Sequence, residues 1–264
     1  MNTLSINTYN TQTFTHSHTN SDLSQKKKAV ILASSAAGMT PVLAVLAKRK
    51  GFSLNPIKIL KTPIKNWAIF KYAPKEKVVK YEDPAVILAL ASGSVAGGFL
   101  GGCLVDDKHN RKAKQREVLS QMLGNILVPV GCVGLGAKVY GKYADKIEGV
   151  MPQFKNTSKF FKVVNKCLTK LPNAIGTIAF LSVGIYCGNK VSNFINDKLY
   201  NKKVQRDIKA TDFAPHVDDV CMAVSMMNKD STFGSKLGRI IPFALLVPGY
   251  QTGIAQRNSI DVIK

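Results

Sequence analysis

A histidine and three carboxylates crowd into Asp212-Phe213-Ala214-Pro215-His216-Val217-Asp218-Asp219. Imidazole nitrogen and carboxylate oxygen are ordinary ligands for divalent cations, so His216 and Asp219 are the candidate metal ligands. The same run also reads as the start of a helix. Asp212 suits an N-cap, Pro215 the first turn, and Asp218 and Asp219 the positive end of a helix dipole. Val217, Val220, Cys221, Val224 and Met227 then fall on one apolar stripe. The helix start accounts for more of the run than a metal does, so neither a metal nor another cofactor is expected.

Other reactive residues are sparse. Cys103, Cys132, Cys167, Cys187 and Cys221 contain no C-x-x-C pair and read as small apolar residues. Gly134-Leu135-Gly136 lacks the following glycine and the acidic partner of a dinucleotide site, and no Walker sequence, nucleophile elbow or His-Glu-x-x-His occurs. Catalytic activity is therefore not expected.

The elements that carry these residues are set by where charge is missing. Four stretches have no charged residue: 29–47, 84–105, 118–137 and 171–189. At a rise of about 1.5 Å per residue each matches the roughly 30 Å hydrocarbon core of a bilayer. A fifth stretch, 240–255, is shorter and holds Pro242, Pro248 and Gln251, which suits a tilted span, a re-entrant helix or a surface element. These windows are apolar or small all round, whereas helices of soluble proteins keep one polar face. The expected fold is all-α: a polytopic membrane protein of four to five transmembrane helices, with glycine-rich packing faces and basic interfacial helices. The windows hold no ionisable group of the kind an ion-coupled transporter needs at depth. Gln121, Asn125 and Asn173 are expected to hydrogen-bond between helices.

Residues 1–25 are rich in Thr, Asn and Ser, contain no Lys or Arg, and are expected to be disordered. Residues 26–264 form the expected helical membrane domain. Lys26, Lys27 and Lys28 followed by an apolar run also resemble a secretory signal, but the leader and the run are both long, which favours a retained first helix.

Glycine placement is more specific than hydropathy. Of 20 glycines, 15 lie in the five windows. Ala85, Ala89, Gly93, Gly97 and Gly101 recur every four residues, and Gly184 and Gly188 repeat the spacing. Lipid supplies no hydrophobic drive between helices, so small residues that let backbones approach are the expected packing surface. A homo-oligomer or packing against other membrane helices is expected along this face.

The net charge of +21 calls for an anionic partner. Lys155, Lys159, Lys162, Lys166 and Lys170 precede the fourth window, with Phe160, Val164, Cys167 and Leu171 on a different face at helical spacing, as in a helix lying among lipid headgroups. Trp67 suits the same depth. Nucleic acid is not expected, because no zinc-knuckle, RNA-recognition or helix-turn-helix pattern accompanies the basic residues. An anionic phospholipid membrane is the expected partner. Lys and Arg are spread evenly over the two sides of a five-span arrangement and set no orientation.

A faint repeat at an offset of 90 residues relates Asp107-Lys108, Lys112 and Gln115-Arg116-Glu117 to Asp197-Lys198, Lys202 and Gln205-Arg206-Asp207. These features lead to a structural or membrane-shaping scaffold that oligomerises through the glycine face. The alternative is a passive channel or small-solute transporter built from a duplicated helical hairpin.

Overall fold

The charge-free windows emerge as helices in the computed structural model, which describes residues 23–49, 55–61, 84–155, 158–200, 206–217 and 241–256. The polar tail up to residue 22, Trp67, Asp218 and Asp219 lie outside the described residues. The elements are α1 (Gln25–Arg49), α2 (Pro56–Lys61), α3 (Pro84–Val105), α4 (Arg111–Leu119), α5 (Val128–Gly149), α6 (Lys159–Tyr200), α7 (Ile241–Ala244) and α8 (Leu246–Ile254). A π-helical segment, Ser120–Leu127, joins α4 to α5, and short 3-10 turns occupy Lys108–Asn110 and Ala210–His216. No strand occurs among the described residues.

Four helical stretches are long and apolar enough to cross a membrane: Gln25–Lys48, Ile87–Val105, Lys108–Gly149 and Phe160–Tyr200. The fifth window resolves differently. It breaks at Leu245 into α7 and the nine-residue α8, about 13.5 Å long and less than half a bilayer core. Among the described residues, four helices are therefore long and apolar enough to cross, and the fifth window is not one of them. Helix order also begins earlier than the composition suggests. Ser24 Oγ accepts the Lys27 amide at 3.4 Å as an N-cap, so residues 23–25 belong to the helix start rather than to the tail.

The chain builds two packed units. In the first, α1 and α3 run antiparallel: Gly38 meets Gly93, Ser34 meets Gly97, and Ile31 meets Gly101. Helix α8 lies parallel to α3 on a second face, Gly249 against Gly98 and Gly253 against Gly102. Met39, Leu46, Ile87, Leu90, Ala91, Val95, Ile126 and Leu245 fill the core beside these contacts.

In the second unit, α4, the π segment and α5 pack antiparallel to the 42-residue α6. Gly188 sits on Gly124, Gly184 on Pro129, and the Phe180 ring on Gly136. The basic stretch before the fourth window is continuous with α6, through Pro172, and does not form a separate helix lying flat. At its start, Asn165 closes the link from α5. Its Oδ1 accepts the Phe154 amide at 2.8 Å, and its Nδ2 donates to the Phe154 carbonyl at 2.7 Å.

The π segment has a local cause. Pro129 carries no N–H, so the Asn125 carbonyl four residues earlier has no α-helical donor. The chain widens by one residue here, and the Val128 amide bonds to Leu123 O, five residues back. His216 Nε2, the donor that a carbonyl acceptor requires, supplies the Asn125 carbonyl at 2.7 Å.

Candidate functional site

Around this π segment the described residues gather a buried polar cluster. Glu117, Gln121 and Asn125 are spaced by four and share one face. Gln121 Nε2 donates to Glu117 Oε1 at 2.7 Å, and Asn125 Nδ2 donates to Gln121 Oε1 at 2.9 Å. Arg206 crosses this ladder from a segment after α6. Its Nε donates to Glu117 Oε1 at 3.1 Å, while Nη1 and Nη2 grip both Asp212 oxygens at 2.8 and 2.6 Å. Such a two-pronged pair fixes orientation as well as charge.

The segment holding Arg206 is itself clamped. The Arg206 carbonyl accepts from Asn189 Nδ2 at 2.8 Å and Asn193 Nδ2 at 3.2 Å, and its amide donates to Asn193 Oδ1 at 3.0 Å. Asp212 accepts from Asn125 Nδ2 and from the Lys209 amide, each at 2.8 Å. Helix α8 contributes Gln251, whose Oε1 accepts from Gln121 Nε2 at 3.0 Å and whose Nε2 donates to Thr211 Oγ1. Burial works against the Arg206 charge, but Glu117 and Asp212 outweigh it and raise the pKa of the guanidinium.

The cluster is deep. Ser92 Oγ reaches Met122 Sδ at 3.9 Å, which puts the stretch between Gln121 and Asn125 beside the middle of α3. Arg206 and Asp212 are 8 % and 1 % exposed. In hydrocarbon such groups are tolerated only when paired, and they are paired here.

A second buried charge sits towards the far end of α8. Lys114, 0 % exposed, bonds to the Gly253 carbonyl at 2.5 Å, the Ala255 carbonyl at 2.9 Å and Asp106 Oδ2 at 2.9 Å. The ammonium thus occupies the negative end of the α8 dipole and satisfies carbonyls that the helix leaves unbonded. Burial alone pushes the Asp106 carboxyl up. Hydrogen bonds from Lys114, the Asp107 amide and Asn110, with the Lys114 charge, outweigh it and hold the carboxyl below its usual value.

The expected packing residues divide. A Cβ on Gly93 would come within 2.5 Å of the Gly38 carbonyl, one on Gly97 would run into Ser34 O, and one on Gly101 would lie 2.5 Å from Ser34 Cβ. This face, expected to meet a second copy, is filled by the chain's own α1. Ala89 is exposed instead. Four residues advance a helix by about 400°, so an every-four stripe drifts by roughly 40° per step and leaves the interface within three steps. Ala85 lies on α3, and its side chain is outside the described residues. Gly184 and Gly188 pack on Pro129 and Gly124, as their spacing suggests.

Lys155, Lys162 and Lys166 are exposed, and Lys170 pairs with Glu148 at 2.7 Å; the Lys159 side chain is outside the described residues. Of the two candidate metal ligands, His216 bonds to the Asn125 carbonyl and Asp219 lies outside the described residues; no group of three His, Cys, Asp or Glu that could hold an ion occurs among the described residues. Asp212 is not an N-cap: it sits third in the 3-10 turn Ala210–His216 and bonds back to Lys209.

Gln121 and Asn125 do bond between elements, as expected. Arg206, Glu117 and Lys114, which lie outside the charge-free windows, are the residues that sequence reasoning missed. The available signal was Pro129, four residues after Asn125, which orphans a carbonyl at depth and demands a donor from elsewhere. No family model matches the chain, and neither a curated protein nor a solved structure does so.

Proposed function

We propose that this chain is a structural membrane protein, a multi-pass helical scaffold seated in an anionic phospholipid bilayer. The observation that carries this reading is the use made of the buried charges. Arg206, Glu117, Asp212, Lys114 and Asp106 all bond to groups of their own chain: Arg206 ties the segment after α6 to Glu117 of α4, and Lys114 ties α4 to the end of α8 and to Asp106 after α3. Such a cluster locks helices together and leaves no charge over for a substrate. The basic end of the α5–α6 hairpin supplies the lipid contact. It carries Lys138, Lys142, Lys146, Lys162, Lys166 and Lys170 beside the exposed Val150, Phe154 and Phe160. Apolar side chains among lysines suit the headgroup layer. With Gly93, Gly97 and Gly101 occupied by α1, self-association of the scaffold uses other surfaces.

Reconstitution into phosphatidylglycerol vesicles tests the proposal. A scaffold changes vesicle size or shape in electron micrographs without raising solute leakage. Specific, saturable flux of a small solute overturns it in favour of a transporter. One observation favours that second reading: the half-length α8 passes a buried polar cluster, which it touches through Gln251, and short or interrupted helices beside polar groups occur in transporters.

A further inference from the structure

The face between α5 and α6 opens into a cleft of about 230 Å³. Its floor is largely apolar, lined by Gly136, Val139, Pro172, Gly176 and Phe180, with Asn173 and Thr177 as its polar members. Tyr140 and Tyr143 stand along one wall. The cleft straddles a boundary. Gly136 and Ala137 close the third charge-free window and Pro172 nearly opens the fourth, while Lys138, Lys142, Lys146, Lys166 and Lys170 begin where those windows stop.

At the charged end, Glu148 Oε1 accepts from both Lys170 Nζ at 2.7 Å and Tyr140 Oη at 3.1 Å, and Lys142 Nζ lies 5.6 Å from the Tyr143 ring centre. Glu148 and Asp145 are outnumbered by Lys138, Lys142, Lys146, Lys166 and Lys170, so the rim keeps net positive charge.

We propose that this cleft is a binding site for one anionic phospholipid, an acyl chain lying along Gly136, Gly176 and Phe180 and the phosphate at the lysine rim. The occupant follows from the two ends of the cleft. A largely apolar floor excludes a free anion, a cationic rim disfavours a bare hydrocarbon, and only an amphiphile with a negative head matches both. Gly176 supplies the opening. A Cβ built there meets nothing within 4 Å, so the glycine makes no helix contact and its missing side chain is the room the acyl chain uses. This proposal rests on the membrane reading, and the two are separable by experiment.

Full-length protein in detergent is incubated with phosphatidylglycerol or phosphatidylcholine, and retained lipid is counted by native mass spectrometry. The unaltered chain is expected to retain phosphatidylglycerol at least about tenfold more strongly, a difference of roughly 1.4 kcal/mol. Gly176→Phe, whose Cβ meets nothing within 4 Å, is expected to abolish that preference by occupying the cleft, and Gly176→Leu to weaken it. Gly134→Phe, at another open glycine outside the cleft, is expected to leave it intact. Equal retention of the two lipids, or unchanged phosphatidylglycerol retention in Gly176→Phe, overturns the site. Alkaline extraction reads the membrane assignment independently: a chain that stays in the pellet yet shows no effect of Gly176→Phe loses the cleft alone.

Discussion

The two helical units use glycine differently: the first sets it in close contacts, whereas the second has both close contacts, at Gly124, Gly136, Gly184 and Gly188, and open positions. Between α1, α3 and α8, Gly38, Gly93, Gly97, Gly98, Gly102, Gly249 and Gly253 bring backbones together so closely that no side chain fits. Along α5 and α6, Gly131, Gly134, Gly141 and Gly176 face open space, and a Cβ on any of them touches nothing within 4 Å. Glycine spacing alone does not distinguish a packed face from an open one. What distinguishes them is whether a partner helix offers its own small residue at the same level, as Gly38 and Ser34 do for Gly93 and Gly97.

The sharpest break of that comparison is a matched pair of substitutions. Gly97→Leu forces a side chain into the Ser34 carbonyl and is expected to cost more than about 3 kcal/mol, at or beyond the upper end of ordinary overpacking. Gly134→Leu is expected to stay within about 0.5 kcal/mol. Thermal unfolding in detergent reads both, and equal midpoints would erase the distinction between the units.

The polar cluster gives the next largest effect. Asp212→Ala leaves Arg206 with half its charge partners and is expected to destabilise by about 3–5 kcal/mol, whereas Arg206→Met with Asp212→Leu recovers most of the loss. A neutral single substitution would mean that the cluster does not hold the helices together.

Smaller still is the link at the π segment. His216→Ala is expected to cost about 1–3 kcal/mol by orphaning the Asn125 carbonyl. In a Pro129→Ala background, where residue 129 regains its amide, the same change costs less. A double-mutant cycle measures that coupling, and strict additivity counts against the explanation given for the π register.

The weakest effect is acid sensitivity at Lys114. Asp106 has its pKa lowered on folding, so its contribution is present above the unfolded carboxylate range and lost as pH falls through the lower folded value. Asp106→Asn is expected to lower the neutral plateau slightly and to flatten the acid limb, so that the two stability profiles converge at low pH.

The long helices were legible because each window is charge-free over the thickness of a bilayer, a signal that does not depend on partners. Gly184 and Gly188 pack on Pro129 and Gly124, but nothing in the sequence separates them from Gly176 on the same helix, which faces open space. The destination of the Gly93–Gly101 face was not legible either, because spacing fixes a stripe along one helix and says nothing about which helix covers it. The cluster was hidden for a different reason. Arg206 and Asp212 come from a polar connection and meet Glu117, which lies one residue before the third window. Only the tertiary path, held by Asn189 and Asn193, carries them to the level of Gln121. The length of α8 was blurred by Pro248, which is compatible with a kinked span and equally with the short helix observed.

That short helix has a consequence for how the molecule is assembled. Nine residues are too few to enter a bilayer as an independent hydrophobic unit, and too few to hold a helical shape alone in water. Its docking site must already exist, with the glycine notches of α3 in place and the ammonium of Lys114 waiting for its last carbonyls. Docking of α8 is therefore a folding step rather than an insertion step, and a chain stopped before residue 241 would carry all four described helices long enough to cross while lacking the wedge that packs on α3.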